Sequence, residues 1–322
     1  MKRLAIAAAM IAAALQNTST DARADEIRFA VQPIPHYAPI FVAKSKKWVD
    51  EELTKAGKPG VELKWASFAA GPPINESFAA GQQDIGFLGD TPAIIGKSAG
   101  IDTSVIGLTS RGPKSLAVIV GAESKISSPK DLKGKKVAVT KGSYAQHLLA
   151  LVLQQGGLGL NDVQVINLPN ADIPNAILTG DIEAGAVWEP IITKFTTLKQ
   201  VRVLADGTGI KSGVLVIIAN NSFVQKKREQ AKAVLRAYQR GADFIKSNPK
   251  EAAQLVSEDV KLAPDLLEQV FKNFDYSPTI RPDDFEELKK SEGYLREIGL
   301  IKSAVDINTF SNRALNAEAG LK

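Results

Sequence analysis

Between residues 26 and 220, short apolar, β-branched runs alternate with segments of helical period, and beyond residue 220 the strand-like runs stop. The runs read as strands at 27–31, 61–66, 84–88, 104–108, 116–120, 136–139, 163–167, 184–188, 201–204 and 214–219. Helices read between them at 38–56, 74–80, 92–99, 144–155 and 173–179. Such alternation predicts an α/β chain with open, mostly parallel sheets and helices on both faces. The remainder reads as helices alone. One is capped by Ser222 and runs to Ser247, where Asn248-Pro249 stops it; others fall at 264–274, 283–297 and 307–319. That tail is either a separate helical domain or, as we expect, a return that packs onto the first sheet.

Two extended segments flanked by Gly or Pro, 115–121 and 213–220, read as crossings between two lobes. This places residues 25–114 and 220–322 in the first lobe and 115–219 in the second, with a cleft between them and the crossings as hinge.

The N-terminus reads as a secretory leader over 1–24. Lys2 and Arg3 precede an apolar stretch from Leu4 to Leu15, and Ala22-Arg23-Ala24 forms a small-x-small cleavage site. That stretch falls short of the roughly 20 apolar residues that span a bilayer. The expected compartment is the periplasm, with no lipid anchor, because the chain has no cysteine to carry one. The same lack rules out disulfides and thiolate chemistry, so core packing alone must hold the fold. A mature chain of about 300 residues can bury about three quarters of its unfolded surface, which suffices for two domains. Removing the leader takes a net +2 from the formal +5. The lysine clusters at 44–47 and 133–136 are short and interrupted, unlike a nucleic-acid face. No nucleic-acid partner is expected.

In open α/β sheets ligands bind where strands turn into helices, and helix N-termini there present free N–H groups and a positive dipole end to anions. Four turns have this chemistry: Leu88-Gly89-Asp90-Thr91-Pro92, the run from Thr140 through Gly142, Ser143 and Tyr144 to Gln146, Ala186-Val187-Trp188-Glu189-Pro190, and Ala69-Ala70-Gly71-Pro72-Pro73. Any α/β protein has such turns, so each alone says little. Their convergence on one cleft would say more.

Several of these pieces, in order, resemble a known family. They are Val31-Gln32, His36-Tyr37-Ala38-Pro39, 80–86, Gly89-Asp90-Thr91-Pro92, 131–139, Lys141-Gly142-Ser143, 178–184 and Val187-Trp188-Glu189-Pro190. The chain resembles the solute-binding proteins of ABC importers for aliphatic sulfonates and taurine, a group that also includes nitrate and bicarbonate binders. The resemblance implies a two-lobed, hinge-bending type II periplasmic binding protein, acting as a monomer without cofactor or metal. Its partners would be a small organic anion and an inner-membrane ABC permease. The candidate binding set is Gln32, His36, Gly89, Asp90, Thr91, Arg111, Gly142, Ser143, Tyr144, Trp188 and Glu189.

A sulfonate is ionised at physiological pH and offers three acceptor oxygens, which suits several neutral donors. The Ser143 hydroxyl, the Gln32 amide and N–H groups near Thr91 and Tyr144 would supply them, and Trp188 would cover an alkyl stem. Glu189 has two readings, facing a substrate amine as in taurine binders or favouring a helix N-terminus. Arg111 would contact the anion, pair with Asp90 or Glu189, or lie in solvent. Catalysis has little support: the two histidines, His36 and His147, fall in different lobes, and no Gly-x-Ser-x-Gly elbow is present. Distant relatives that make a thiamine pyrimidine precursor carry a cysteine-rich motif, which this chain lacks. Nitrate, a carboxylate or a phosphonate as ligand, or a sensing role, are the alternatives.

Overall fold

Two five-stranded sheets organise the chain, and the computed structural model describes residues 25–321. The leader at 1–24 lies outside the described residues. Strands β1 (Glu26–Val31), β2 (Glu62–Ser67), β3 (Ile85–Gly89), β4 (Thr103–Ser110) and β10 (Leu215–Asn220) form sheet I in the order β2-β1-β3-β10-β4. Strands β5 (Leu116–Gly121), β6 (Lys136–Val139), β7 (Gln164–Asn167), β8 (Ala184–Trp188) and β9 (Val201–Asp206) form sheet II in the order β7-β6-β8-β5-β9. In each sheet four strands run one way and one runs against them. The exception is the strand that enters from the other sheet, β10 in sheet I and β5 in sheet II.

The crossings lie just before the β-branched runs that sequence marked. Those runs are β5 and β10, buried within the sheets; the chain passes between lobes at 111–115 and 207–214. The physical reason is composition. A buried strand needs β-branched side chains on both faces, whereas a crossing has no sheet to cover and is built from Arg-Gly-Pro-Lys-Ser and a Gly-rich loop. The crossings touch through Gly112 N–H to Ser212 C=O (3.1 Å) and Gly207 N–H to Pro113 C=O (2.7 Å).

Helices α1 (Ala38–Ser45), α2 (Trp48–Lys55), α3 (Gly71–Ala79) and α4 (Asp90–Ser98) accompany sheet I, and α5 (Tyr144–Gln155), α6 (Ile173–Leu178) and α7 (Ile191–Thr197) accompany sheet II. The span read as one helix over 38–56 breaks at Lys47, which adopts φ +57°. The C-terminal part comprises α8 (Asn221–Lys226), α9 (Arg228–Ser247), α10 (Pro249–Val260), α11 (Pro264–Phe271), α12 (Pro282–Glu297), α13 (Ile307–Phe310) and α14 (Arg313–Glu318). Asn220 rather than Ser222 caps the first of these, accepting from the N–H of Ser222 (2.9 Å) and Phe223. Helix α10 was not read from the sequence, and α7 was read only as the helix opened by Pro190, without bounds.

The tail returns to sheet I. Helix α9 lays its apolar face, including Val234, Leu235 and Tyr238, against the sheet I side, where Tyr238 donates to Thr109 C=O (2.6 Å). Asn316 Nδ2 donates to Ile106 C=O at the β4 edge (3.1 Å) and to Pro278 C=O (3.0 Å). Helices α1 and α9 approach so closely that a Cβ on Gly241 would lie 2.2 Å from Pro39 O. Helix propensity alone favours Ala over Gly by about 1 kcal/mol, but overpacking against backbone costs about 1–3 kcal/mol. Gly241→Ala therefore lowers stability, as denaturant unfolding will show; a gain would mean that α9 shifts freely.

Candidate functional site

A small cavity lies between the lobes, lined by Gln32, Ile34 and Tyr37 after β1, Gly71 and Gly89 of lobe I, and Ser143, Tyr144 and Trp188 of lobe II. Its volume is about 10 Å³, the space of a single water. Three helix N-termini meet here. Gly71 opens α3, Gly89 caps α4 and Ser143 caps α5. Each places the positive end of its dipole at one small volume. Local sequence builds these starts: Pro72 and Pro73 fix the first turn of α3, while Gly142 takes φ +74° before Ser143. A Cβ on Gly89 would lie 3.4 Å from Tyr144 Cβ, ordinary contact distance, so the two lobes' helix starts come together here.

The lining is neutral. Gln32 Nε2 donates to Tyr37 Oη (3.0 Å) and Phe87 C=O (3.2 Å). Ser143 is buried, and its Oγ has no hydrogen-bond partner among the described residues. Burial pushes the Tyr144 and Tyr37 phenols well above their usual range, so both remain neutral donors. The Trp188 ring stands 5.8 Å from that of Tyr144. His36 supports this wall from lobe I, its Nε2 2.8 Å from Tyr144 Oη. Burial lowers its pKa to about 3, so the imidazole is neutral.

The charged candidates sit apart from the cavity, each satisfied elsewhere. Asp90 is fully buried and bonded to Lys211 Nζ (2.7 Å) and Ser291 Oγ (2.6 Å), and its Oδ1 accepts from Thr91 N–H (2.7 Å) and hydroxyl (3.2 Å). Burial works to raise its pKa, but the Lys211 ammonium overrides it and holds the carboxyl low. Thr91 thus serves Asp90. Arg111 neither pairs with Asp90 or Glu189 nor lies in solvent. Its guanidinium grips Asp284 in a fork of two 2.5 Å bonds and reaches Ser277 C=O (2.9 Å), because the C-terminal return brings a carboxylate to the crossing. Glu189 accepts from the Thr193 N–H (2.9 Å) and hydroxyl (2.8 Å) in the first turn of α7, and from Asn273 Nδ2 (3.1 Å) across the lobe boundary. Burial raises its pKa, partly offset by those bonds.

Sequence reading therefore brought Gln32, Gly89, Ser143, Tyr144 and Trp188 to one cavity, with His36 and Gly142 directly behind it. It missed Tyr37, Ile34 and Lys211. The last is fully buried, and only its place within a crossing beside Gly213 marks it. Among the described residues no group of three or more His, Cys, Asp or Glu side chains could hold a metal ion, and no helix is long and apolar enough to cross a membrane.

This geometry is the two-lobed fold of periplasmic binding proteins, with a small neutral cavity at the lobe boundary. The chain belongs to the NMT1/THI5-like family, whose model matches residues 34–252. It is 31% identical over 300 residues to a Bacillus subtilis (strain 168) protein provisionally named an aliphatic sulfonates-binding protein, covering 90% of this chain and 88% of that one. The crystal structure of the periplasmic aliphatic sulphonate binding protein SsuA from Escherichia coli superposes with TM-score 0.78 at 25% identity, over 89% of this chain and 92% of that one. The alkanesulfonate-binding protein SsuA from Xanthomonas axonopodis pv. citri, bound to MOPS, shares the fold with TM-score 0.80 at 21% identity, over 89% and 97% of the two chains.

Both histidines are neutral in the fold, and both stand at the lobe boundary. His147 of α5 stacks on Tyr294 of α12 at 4.0 Å, and burial, then the Lys211 charge, lower its pKa to about 2. A histidine depressed in this way contributes stability that is complete above the unfolded value near 6.5. That contribution is lost as pH falls toward the folded values, by up to about 1.4 kcal/mol per pH unit per histidine. Glu189 opposes this trend, since its raised pKa makes protonation favourable in the fold. Denaturant unfolding at pH 7 and pH 5.5 will show lower stability at pH 5.5, and His147→Gln will reduce that difference.

Proposed function

We propose that the mature chain captures a sulfonate, an alkanesulfonate or a taurine-like molecule, between its lobes and delivers it to the permease of an ABC importer. It acts in the periplasm after export through a cleaved leader, as a monomer and without catalysis. The two moving bodies are sheet I with its helices, 25–110 with 215–321, and sheet II with its helices, 116–206; the lobe boundary expected at 219 moves to the crossing at 207–214 because β10 pairs within sheet I. Relatives named for periplasmic sulfonate binding support this reading.

The observation that carries it is the buried, unpartnered Ser143 hydroxyl among three converging helix N-termini in a cavity lined by no cation. A strong-acid anion with three oxygens needs donors that do not have to give up a countercharge, and dipole ends with neutral hydroxyls and amides meet that need. Trp188 supplies a flat apolar face for a carbon stem. The present cavity is too small for a sulfonate group, so binding requires the lobes to part and close around it, shifting an open–closed equilibrium about the crossings. The closed form is what the permease reads.

A thermal-shift screen of residues 25–322 against alkanesulfonates, taurine, nitrate, sulfate and carboxylates tests this. A sulfonate at a hundredfold excess over its Kd raises stability by about 2.7 kcal/mol. Ser143→Ala weakens sulfonate binding by about 1–3 kcal/mol, the loss of a hydrogen bond to a charged group. A shift with nitrate or a carboxylate alone keeps the fold and overturns the substrate.

A further inference from the structure

Strand β8 runs past the end of its neighbour β6. The two pair only at Val137↔Ala184 and Ala138↔Gly185, while β8 keeps its partner β5 as far as Leu116↔Trp188. The β6-facing edge of Trp188 is therefore left without a strand at the point where its ring enters the cleft. A buried peptide group needs a partner. Asn170, on the loop after β7, supplies one. Its Oδ1 accepts from Trp188 N–H (3.2 Å) and its Nδ2 donates to Trp188 C=O (3.4 Å). A primary amide offers a donor and an acceptor side by side, as a peptide group does, so it continues the ladder where β6 has stopped.

The loop that presents Asn170 is itself tied down over the end of β6. Leu168 N–H donates to Val139 C=O (3.3 Å), Thr140 Oγ1 donates to Leu168 C=O (2.8 Å), and Asn167 Oδ1 accepts from Lys141 N–H (3.0 Å). On the other side, Glu189 N–H donates to Ser115 C=O (3.0 Å). Trp188 is thus held from both strand edges, and its ring lies against Tyr144 in the cavity wall.

We infer that Asn170 is a positioning residue that sets selectivity for the organic stem of the ligand, by fixing the main chain from which the Trp188 ring projects. The inference rests on the sulfonate reading above for its ligand, though the brace itself does not. Without the brace, Trp188 is held only from its β5 edge and its ring loses part of its fixed orientation. The headgroup donors at Ser143 and the helix N-termini stay in place. Longer-chain ligands then lose more affinity than short ones.

The test compares Asn170→Ala with the unaltered mature chain, using pentanesulfonate and methanesulfonate as probes by calorimetry. The ratio of the two affinities should fall by about tenfold, the change that 1.4 kcal/mol of stem contact represents, with methanesulfonate little affected. Asn170→Ser, which retains an acceptor for the Trp188 N–H, gives an intermediate ratio and serves if the alanine variant folds poorly. A second measurement needs no ligand. With Trp48 and Trp65 changed to Phe, Trp188 is the one remaining tryptophan of three, and its fluorescence anisotropy should fall when Asn170 is replaced. If both sulfonates weaken equally while anisotropy is unchanged, Asn170 is only structural and the inference is overturned. If the parent binds neither sulfonate, the substrate reading fails, and the anisotropy alone decides the brace: unchanged anisotropy overturns it.

Discussion

The two crossings lie side by side, and that contact organises everything around the cleft. Gly112 N–H bonds Ser212 C=O, and Gly207 N–H bonds Pro113 C=O. Gly213 stands at φ +66°, where a Cβ would come within 2.4 Å of Gly112 O. No side chain fits in that approach, so glycine is required by both backbone angle and space. Because each crossing delivers its strand into the partner sheet against the grain, both sheets acquire their single antiparallel member beside the cleft. The strands flanking those members, β3 and β8, end at the lobe boundary. Helix α4 starts directly beyond β3, and the turn carrying Trp188 and Glu189 lies at the end of β8.

Charge is handled by removal. Arg111 and Lys211, one on each crossing, are both held by carboxylates of the C-terminal return or of α4. Breaking such a pair leaves a buried charge, at a cost of about 3–5 kcal/mol, so neither cation is available to a ligand. The cavity is left with dipoles and neutral donors. The same locked charges fix the geometry, since Lys211 ties the first residue of α4 to Ser291 and Glu287 of α12.

The alternation of period exposed the layered α/β architecture because the strands buried on both faces are short, continuous apolar runs and the helices between them are amphipathic. The turn motifs exposed the cavity because Gly, Ser and Pro at helix starts have a local cause. What stayed hidden was long-range pairing. The partner of Arg111 lies at Asp284 and that of Asp90 at Lys211, separations that no local pattern encodes. Sequence put Asp90 and Thr91 in the candidate set and left Arg111 with several readings, whereas the fold pairs Asp90 with Lys211 and Thr91, and Arg111 with Asp284. Glu189 was left with two readings, and the fold uses its carboxylate at the α7 N-terminus while bridging to Asn273. Asn170 escaped notice for a related reason: its role follows from β6 being shorter than β8, visible only once the strand order is known.

The lobe boundary is built from contacts that exist only when the lobes are together. His36 against Tyr144, His147 against Tyr294 and Asn273 against Glu189 each join one residue from either side. They are made by aromatic, imidazole and amide groups and one carboxylate, polar groups that water can also satisfy. Parting the lobes therefore exchanges these contacts for solvent at modest net cost, as expected for hydrogen bonds that water replaces. The buried Lys211–Asp90 pair, which water cannot serve in place, ties the second crossing to the start of α4 in sheet I's layer. The proposed opening would therefore break contacts that are cheap to exchange and leave the Lys211–Asp90 pair, between one crossing and α4, intact.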